Sequence, residues 1–84
     1  MSYFTYILLC KNNKYYVGYT NNLKNRFKHH IKKWGSKFTL QNKPVKIIWY
    51  QKFNSKIEAM NREKQIKGWT RKKKEKLIRG EWKV

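Results

Sequence analysis

Twenty-two lysines and arginines face four glutamates and no aspartate in 84 residues, a formal net charge of +18. A charge buried without a partner is costly, and four acids cannot partner twenty-two bases. Most of the cations must therefore stay in water, and the core has to be built from what remains. What remains is aromatic: 4 Trp, 6 Tyr and 4 Phe make up 17% of the chain. Each ring can bury ~150–250 Å², so a few of them fill a small core. A disordered basic tail would be poor in such residues. The length leads us to expect one small domain spanning 1–84.

The rare residue types exclude several chemistries. A lone cysteine, Cys10, rules out an internal disulfide framework, and with only two histidines there is no Cys/His zinc cage. The apolar runs 6–10 and 45–50 are far too short to span a bilayer, and no signal-peptide pattern precedes them. A reducing, cytoplasmic location is the resulting expectation. The charge calls for a polyanionic partner, nucleic acid first; no long amphipathic helix opens the chain to favour a membrane surface. The four acids are Glu58, Glu63, Glu75 and Glu81. Sites with two metal ions need several carboxylates converging on ions ~4 Å apart. On a helix, Glu58 and Glu63 would lie about 140° apart around the axis. A metal here would have one protein carboxylate, two at most.

Residues 3–10 and 15–20, β-branched and aromatic, predict two strands around the polar turn 11–14, hence a hairpin. Asn21 and Asn22 are N-cap candidates for a helix over 22–34 closed by Gly35, with the apolar stripe Leu23, Phe27, Ile31, Trp34. A polar stretch, 36–43, leads to Pro44 and a third strand over 45–51. Ser55 and Glu58 form a capping-box pattern for a helix over 56–67 ended by Gly68. Thr70 caps a last helix over 71–79 ended by Gly80. The order β-β-α-β-α-α predicts an α+β domain: a three-stranded, mainly antiparallel sheet flanked by helices.

Four residues sit where packing alone would not put them. Gly18 falls inside a strand, where glycine marks a bulge or the close approach of a backbone or ligand. Arg26 and His30, four apart on the first helix, fall on the side of its apolar stripe, while Lys24, Asn25, Lys28, His29, Lys32 and Lys33 populate the other. Glu63 interrupts the stripe Ala59, Met60, Ile66 of the second helix. One reading makes Arg26 and Glu63 a structural salt bridge at the core margin. The other makes them parts of an active site at the sheet edge, a phosphate clamp and a metal ligand.

Tyr6 in the first strand and Tyr16-Val17-Gly18 in the second, followed by Thr20, the asparagine pair 21–22, Leu23, Arg26, His30 and, on the later helix, Glu63, resemble the GIY-YIG nuclease family over nearly the whole chain. Of the family's first motif, Phe4-Thr5-Tyr6 keeps only the tyrosine. Tyr19 stands where some members carry a lysine. The resemblance implies a metal-dependent endonuclease that hydrolyses DNA phosphodiester bonds with one Mg²⁺ or Mn²⁺ held by Glu63. It also implies a fold of that nuclease type and a catalytic set of Tyr6, Tyr16, Arg26, His30 and Glu63.

In that reading Arg26 offers a planar fork to phosphate oxygens, and Tyr6 or Tyr16 positions or deprotonates the attacking water. A phenol of pKa ~10 is a poor base at neutral pH, so the field of Arg26, the lysines and a metal would have to lower it. His30 would relay a proton or bind phosphate. Gly18 would admit the nucleic-acid backbone, with Thr20 beside it. Lys28, Lys32, Lys72 and Lys73 would hold phosphates without reading sequence, and a protein partner or a second copy would supply specificity. Plainer roles exist for each: half-buried sheet tyrosines, a surface histidine, a bulge glycine, and Trp34, Trp49 and Trp69 as core or rim. Two other functions compete with the enzyme, a catalytically weak nuclease fold that binds DNA or RNA, and a ribosome-associated RNA-binding protein. The enzyme reading makes a geometric demand. Tyr6 and Tyr16 share a sheet face only if paired residue numbers sum to an even value, which a two-residue Asn12-Asn13 turn forbids. A three- or five-residue loop or a bulge is expected instead.

Overall fold

A computed structural model describes residues 2–11, 13–34 and 44–80, with the backbone alone described for 30–34. The elements run β1 (Tyr3–Cys10), β2 (Tyr15–Thr20), α1 (Leu23–Trp34), β3 (Pro44–Phe53), α2 (Lys56–Lys67) and α3 (Arg71–Ile78). The α+β order read from the sequence is the order observed. The strands form one antiparallel sheet, β2-β1-β3, with β1 in the middle.

The hairpin closes through the three-residue loop 11–13. The Cys10 N–H donates to the Lys14 carbonyl and the Asn13 N–H to the Cys10 carbonyl, both at 2.9 Å. Asn13 takes a left-handed conformation, φ 66°, which asparagine tolerates better than most residues. This loop sets the register: Phe4 faces Thr20, Tyr6 faces Gly18 and Leu8 faces Tyr16, so paired numbers sum to 24. The even sum places Tyr6, Tyr16, Gly18 and Thr20 on one face of the sheet. β3 runs to Phe53, two residues beyond the expected end, and its register against β1 shifts twice. It is an edge strand that begins with proline and carries Lys46 and Lys52, features that discourage further strand pairing.

The face bearing Ile7 and Val17 packs on Ile66 of α2 and Leu77 of α3, with Tyr15, Ile48, Trp49, Trp69 and Ile78 around them. Trp49 and Trp69 are therefore part of the packing, as the plainer reading expects. The other face carries Tyr6, Leu8, Cys10 and Thr20, all buried. The helix caps follow the sequence. Asn22 Oδ1 accepts from the Asn25 N–H at 3.0 Å. Ser55 Oγ accepts from the Glu58 N–H at 3.2 Å and donates to its carboxylate at 3.0 Å. Thr70 Oγ1 accepts from the Lys73 N–H at 3.3 Å. α3 ends one residue earlier than expected, at Ile78, with Gly80 in the left-handed region, φ 76°, just beyond it. Gly35, the expected stop of α1, lies outside the described residues.

One buried polar contact ties the layers together. Thr5, fully buried on β1, donates its hydroxyl to the Ala59 carbonyl of α2 at 2.7 Å. Ala59 is one helical turn before Glu63, so this bond fixes where that turn sits against the sheet.

Candidate active site

A cleft of about 430 Å³ opens beside the free edge of β2. Tyr6, Tyr16, Gly18 and Thr20 reach it from one sheet face, and Tyr3 and Tyr19 from the other. Arg26 of α1 and Lys56 and Glu63 of α2 complete its walls with Asn21. Six residues expected from the sequence to form or line a site (Tyr6, Tyr16, Gly18, Thr20, Arg26 and Glu63) thus meet at one place, from two strands and two helices. Side chains of His30 and Lys32 lie outside those described. Lys28 is exposed on α1 and is not in the cleft wall.

The two tyrosines differ in setting. Tyr6 is only 2% exposed, whereas Tyr16 is 38% exposed, with ring centroids 6.5 Å apart. Burial pushes the Tyr6 phenol well above its ordinary value near 10, and the neighbouring Tyr16 and Glu63 add to the rise against a smaller opposing pull from Arg26. Of the basic groups expected to lower this phenol, Arg26 does pull it down, but not enough to offset burial. Desolvation of the anionic form outweighs the attraction of one exposed guanidinium.

Gly18 has a reason other than the expected one. The β1–β2 register is continuous through it, so it is no bulge in that pair. A Cβ there would stand 2.6 Å from Tyr6 Oη and 2.8 Å from Tyr6 Cζ, with Tyr16 Cε1 at 3.2 Å. The close approach at Gly18 is that of the Tyr6 ring across the strand pair. The glycine seats the phenol.

The salt bridge between Arg26 and Glu63 is not formed. Glu63, with 15% of its side chain exposed, pairs with Lys67 one turn further along α2, at 3.0 Å. Arg26 is exposed rather than set at the core margin, and it faces the cleft. Among the described residues no three of His, Cys, Asp and Glu come together. Among the described residues lining the open cleft, Glu63 is the one carboxylate available to a metal. That suits a hard, hydrated ion that keeps most of its waters, and not an ion requiring a full protein cage.

The basic run on α3 is only partly free. Arg71 lies over the Tyr15 ring at 4.0 Å and pairs with Glu75 at 3.3 Å. Lys73 stands over the Trp69 ring at 5.1 Å, as does Arg62 at 5.2 Å. Lys72 is exposed on the same helix. Neither Lys72 nor Lys73 lines the cleft. The sequence reading missed Tyr3, Asn21 and Lys56 in the cleft wall. Tyr3 carried a signal in hindsight, since it opens β1, and Lys56 immediately follows a helix cap.

Comparison with known proteins matches the chain to a family. The model of the GIY-YIG catalytic domain matches residues 2–76. UPF0213 protein RBAM_000440 of Bacillus velezensis is 46% identical over 77 residues, 92% of this chain and 78% of that protein. UPF0213 protein YazA of Bacillus subtilis is 44% identical with the same coverage of both chains. The solution structure of the UPF0213 protein BH0048 from Bacillus halodurans is 38% identical and superposes with a TM-score of 0.59, over 93% of this chain and 83% of that one. With a family match over nearly its full length and close relatives of the same size class, the chain belongs to the GIY-YIG catalytic-domain family, whose activity is in general that of a nuclease using a divalent metal ion.

Proposed function

We propose that this protein is an endonuclease that hydrolyses DNA phosphodiester bonds at the cleft beside β2, with residues 1–84 acting as one catalytic domain in the cytoplasm. The observation that carries the reading is the meeting of Glu63, Arg26, Tyr6 and Tyr16 at one cleft, although they come from four separate segments. Glu63 would hold one Mg²⁺ or Mn²⁺, which supplies charge neutralisation at the phosphate and at the leaving oxygen.

The chain's own groups divide the remaining work. Arg26, exposed and facing the cleft, donates to non-bridging phosphate oxygens. Tyr6 stays protonated at neutral pH, so it acts as a hydrogen-bond donor that orients the water or a phosphate oxygen. Tyr16 is open to solvent and would be the one of the two to act as base, its phenolate oxygen taking the proton of the attacking water and passing it to solvent. Its neighbour Gly18 keeps the two rings at their spacing. His30 serves phosphate binding or proton relay from α1, and Thr20, Lys28, Lys32, Lys72 and Lys73 contribute to substrate binding. The charge of +18 holds duplex or branched DNA without reading sequence, which leaves specificity to DNA structure, a protein partner or a second copy.

The test is incubation of purified protein with supercoiled, branched and single-stranded DNA, with and without Mg²⁺ or Mn²⁺. Glu63→Gln is expected to abolish metal-dependent nicking while DNA affinity stays within about twofold. Nicking that survives Glu63→Gln refutes the assignment of the acid. A wild-type protein that binds tightly and never cuts any of these substrates leaves a nucleic-acid binding module in place of the enzyme.

A further inference from the structure

The three described carboxylates are all engaged, and none of them with Lys56. Glu58 is bonded to Ser55, Glu63 is paired with Lys67, and Glu75 is paired with Arg71. Among the described residues, no carboxylate is therefore ion-paired with either cation of the cleft wall, Arg26 or Lys56. They come from different elements, α1 and the first turn of α2, so the cleft is bounded by positive charge on two walls.

Helix stability does not explain Lys56. It is the first residue of α2, directly after the Ser55 cap. A cation there opposes the helix macrodipole, which favours acids in the first turn and bases in the last. α2 follows that rule elsewhere, with Glu58 in its first turn and Lys64 and Lys67 in its last. Lys56 is exposed, and among the described residues no acid is ion-paired with it. Its placement makes sense if an anion enters the cleft.

We infer that Lys56 is a second phosphate-binding residue, which with Arg26 forms a two-walled clamp that seats a nucleic-acid phosphate before any metal ion is bound. The inference rests on the proposed substrate of the cleft, and it assigns to this chain a role that the resemblance did not include. The ammonium is a mobile point charge with three donors, where Arg26 offers a fixed fork. The first would follow a phosphate oxygen as it moves and the second would hold its orientation. Because Glu63 is already compensated by Lys67, the metal-free cleft is attractive to anions.

The experiment measures binding, in EDTA, of a labelled 12-base-pair duplex by fluorescence anisotropy across a series of NaCl concentrations. The proteins are wild type, Lys56→Ala, Lys56→Arg and Lys64→Ala; Lys64 is exposed on the same helix but outside the cleft wall. Loss of one phosphate contact on duplex DNA reduces the log–log salt slope by about 0.9, which corresponds to roughly eightfold weaker binding at 0.1 M salt. Lys56→Ala is expected to show that loss, Lys56→Arg to restore most of it, and Lys64→Ala to leave the slope within about 0.3 of wild type. Thermal melting separates this role from a structural one. Lys56→Ala is expected to melt at or above the wild-type temperature, because an unfavourable helix-end charge is removed while binding weakens. Equal slopes for wild type and Lys56→Ala overturn the inference, as does a fall in melting temperature that accounts for weaker binding. Both readouts are independent of cleavage, so a failed nuclease assay and a failed clamp are told apart.

Discussion

Substitution of Gly18 by alanine probes the seat of Tyr6. No positive φ is found at Gly18, so alanine can adopt its backbone conformation, and the loss of unfolded-state freedom would by itself stabilise by about 0.4–1 kcal/mol. Steric conflict opposes this. The new methyl would lie 2.6 Å from Tyr6 Oη and 2.8 Å from Tyr6 Cζ, and the ring is 2% exposed in a packed layer. Forcing such a side chain aside typically costs about 1–3 kcal/mol. The net expectation is a loss of about 1–2 kcal/mol, which lowers the melting temperature by roughly 5–15 °C in a domain of this size. Urea titration followed by tryptophan fluorescence gives the free energy. Tyr6→Phe removes the oxygen in contact but keeps the ring carbon, so in a double-mutant cycle it should recover part of the loss, with a coupling of about 0.5–1.5 kcal/mol. Gly18→Ala with wild-type stability, or a cycle with no coupling, would refute the claim that this glycine exists to make room for the phenol.

Tyr6 also carries a pH signature. Because its phenol is raised in the folded protein, the unfolded chain loses that proton first as pH climbs. The stability it contributes is complete below about pH 10 and is lost above it, so Tyr6→Phe should flatten the alkaline limb of a stability–pH curve. Lys67→Ala frees the Glu63 carboxylate from its 3.0 Å partner. An i,i+4 pair of this exposure is worth about 0.3–0.5 kcal/mol, so calorimetric titration should show divalent-ion affinity up about twofold with stability nearly unchanged. Lys73→Ala should cost about 0.5–1 kcal/mol in urea unfolding through the lost contact with the Trp69 ring. Lys72→Ala should cost less than about 0.5 kcal/mol, although under the proposed function both are expected to weaken DNA binding.

The parts of this molecule that could be read from the sequence are those set by local chemistry. Ser55, Thr70 and Asn22 cap helices because their side chains reach the first free N–H groups, and short-range rules capture that. The shared face of Tyr6 and Tyr16 was legible as a parity condition on the hairpin, and the left-handed Asn13 in a three-residue loop satisfies it. Electrostatic partners were less legible. Glu63 shares a cleft wall with Arg26 of α1, yet the base that pairs with it is Lys67 on its own helix, the partner that the helical i,i+4 rule points to. The raised Tyr6 phenol depends on how deeply neighbouring layers cover it, which no pattern of residue types gives. Lys56 was invisible for a similar reason. Periodicity places it on α2, but only the packing angle of that helix turns it toward β2.

Thr5 has a consequence that reaches beyond β1. Its hydroxyl grips the carbonyl of Ala59, which acts as a detent on α2: sliding the helix by one residue would break a bond sealed from water. The acid is therefore aligned with the phenols by the same stroke that seals the interior, and the spacing of the cleft groups is inherited from folding instead of being assembled when a ligand arrives.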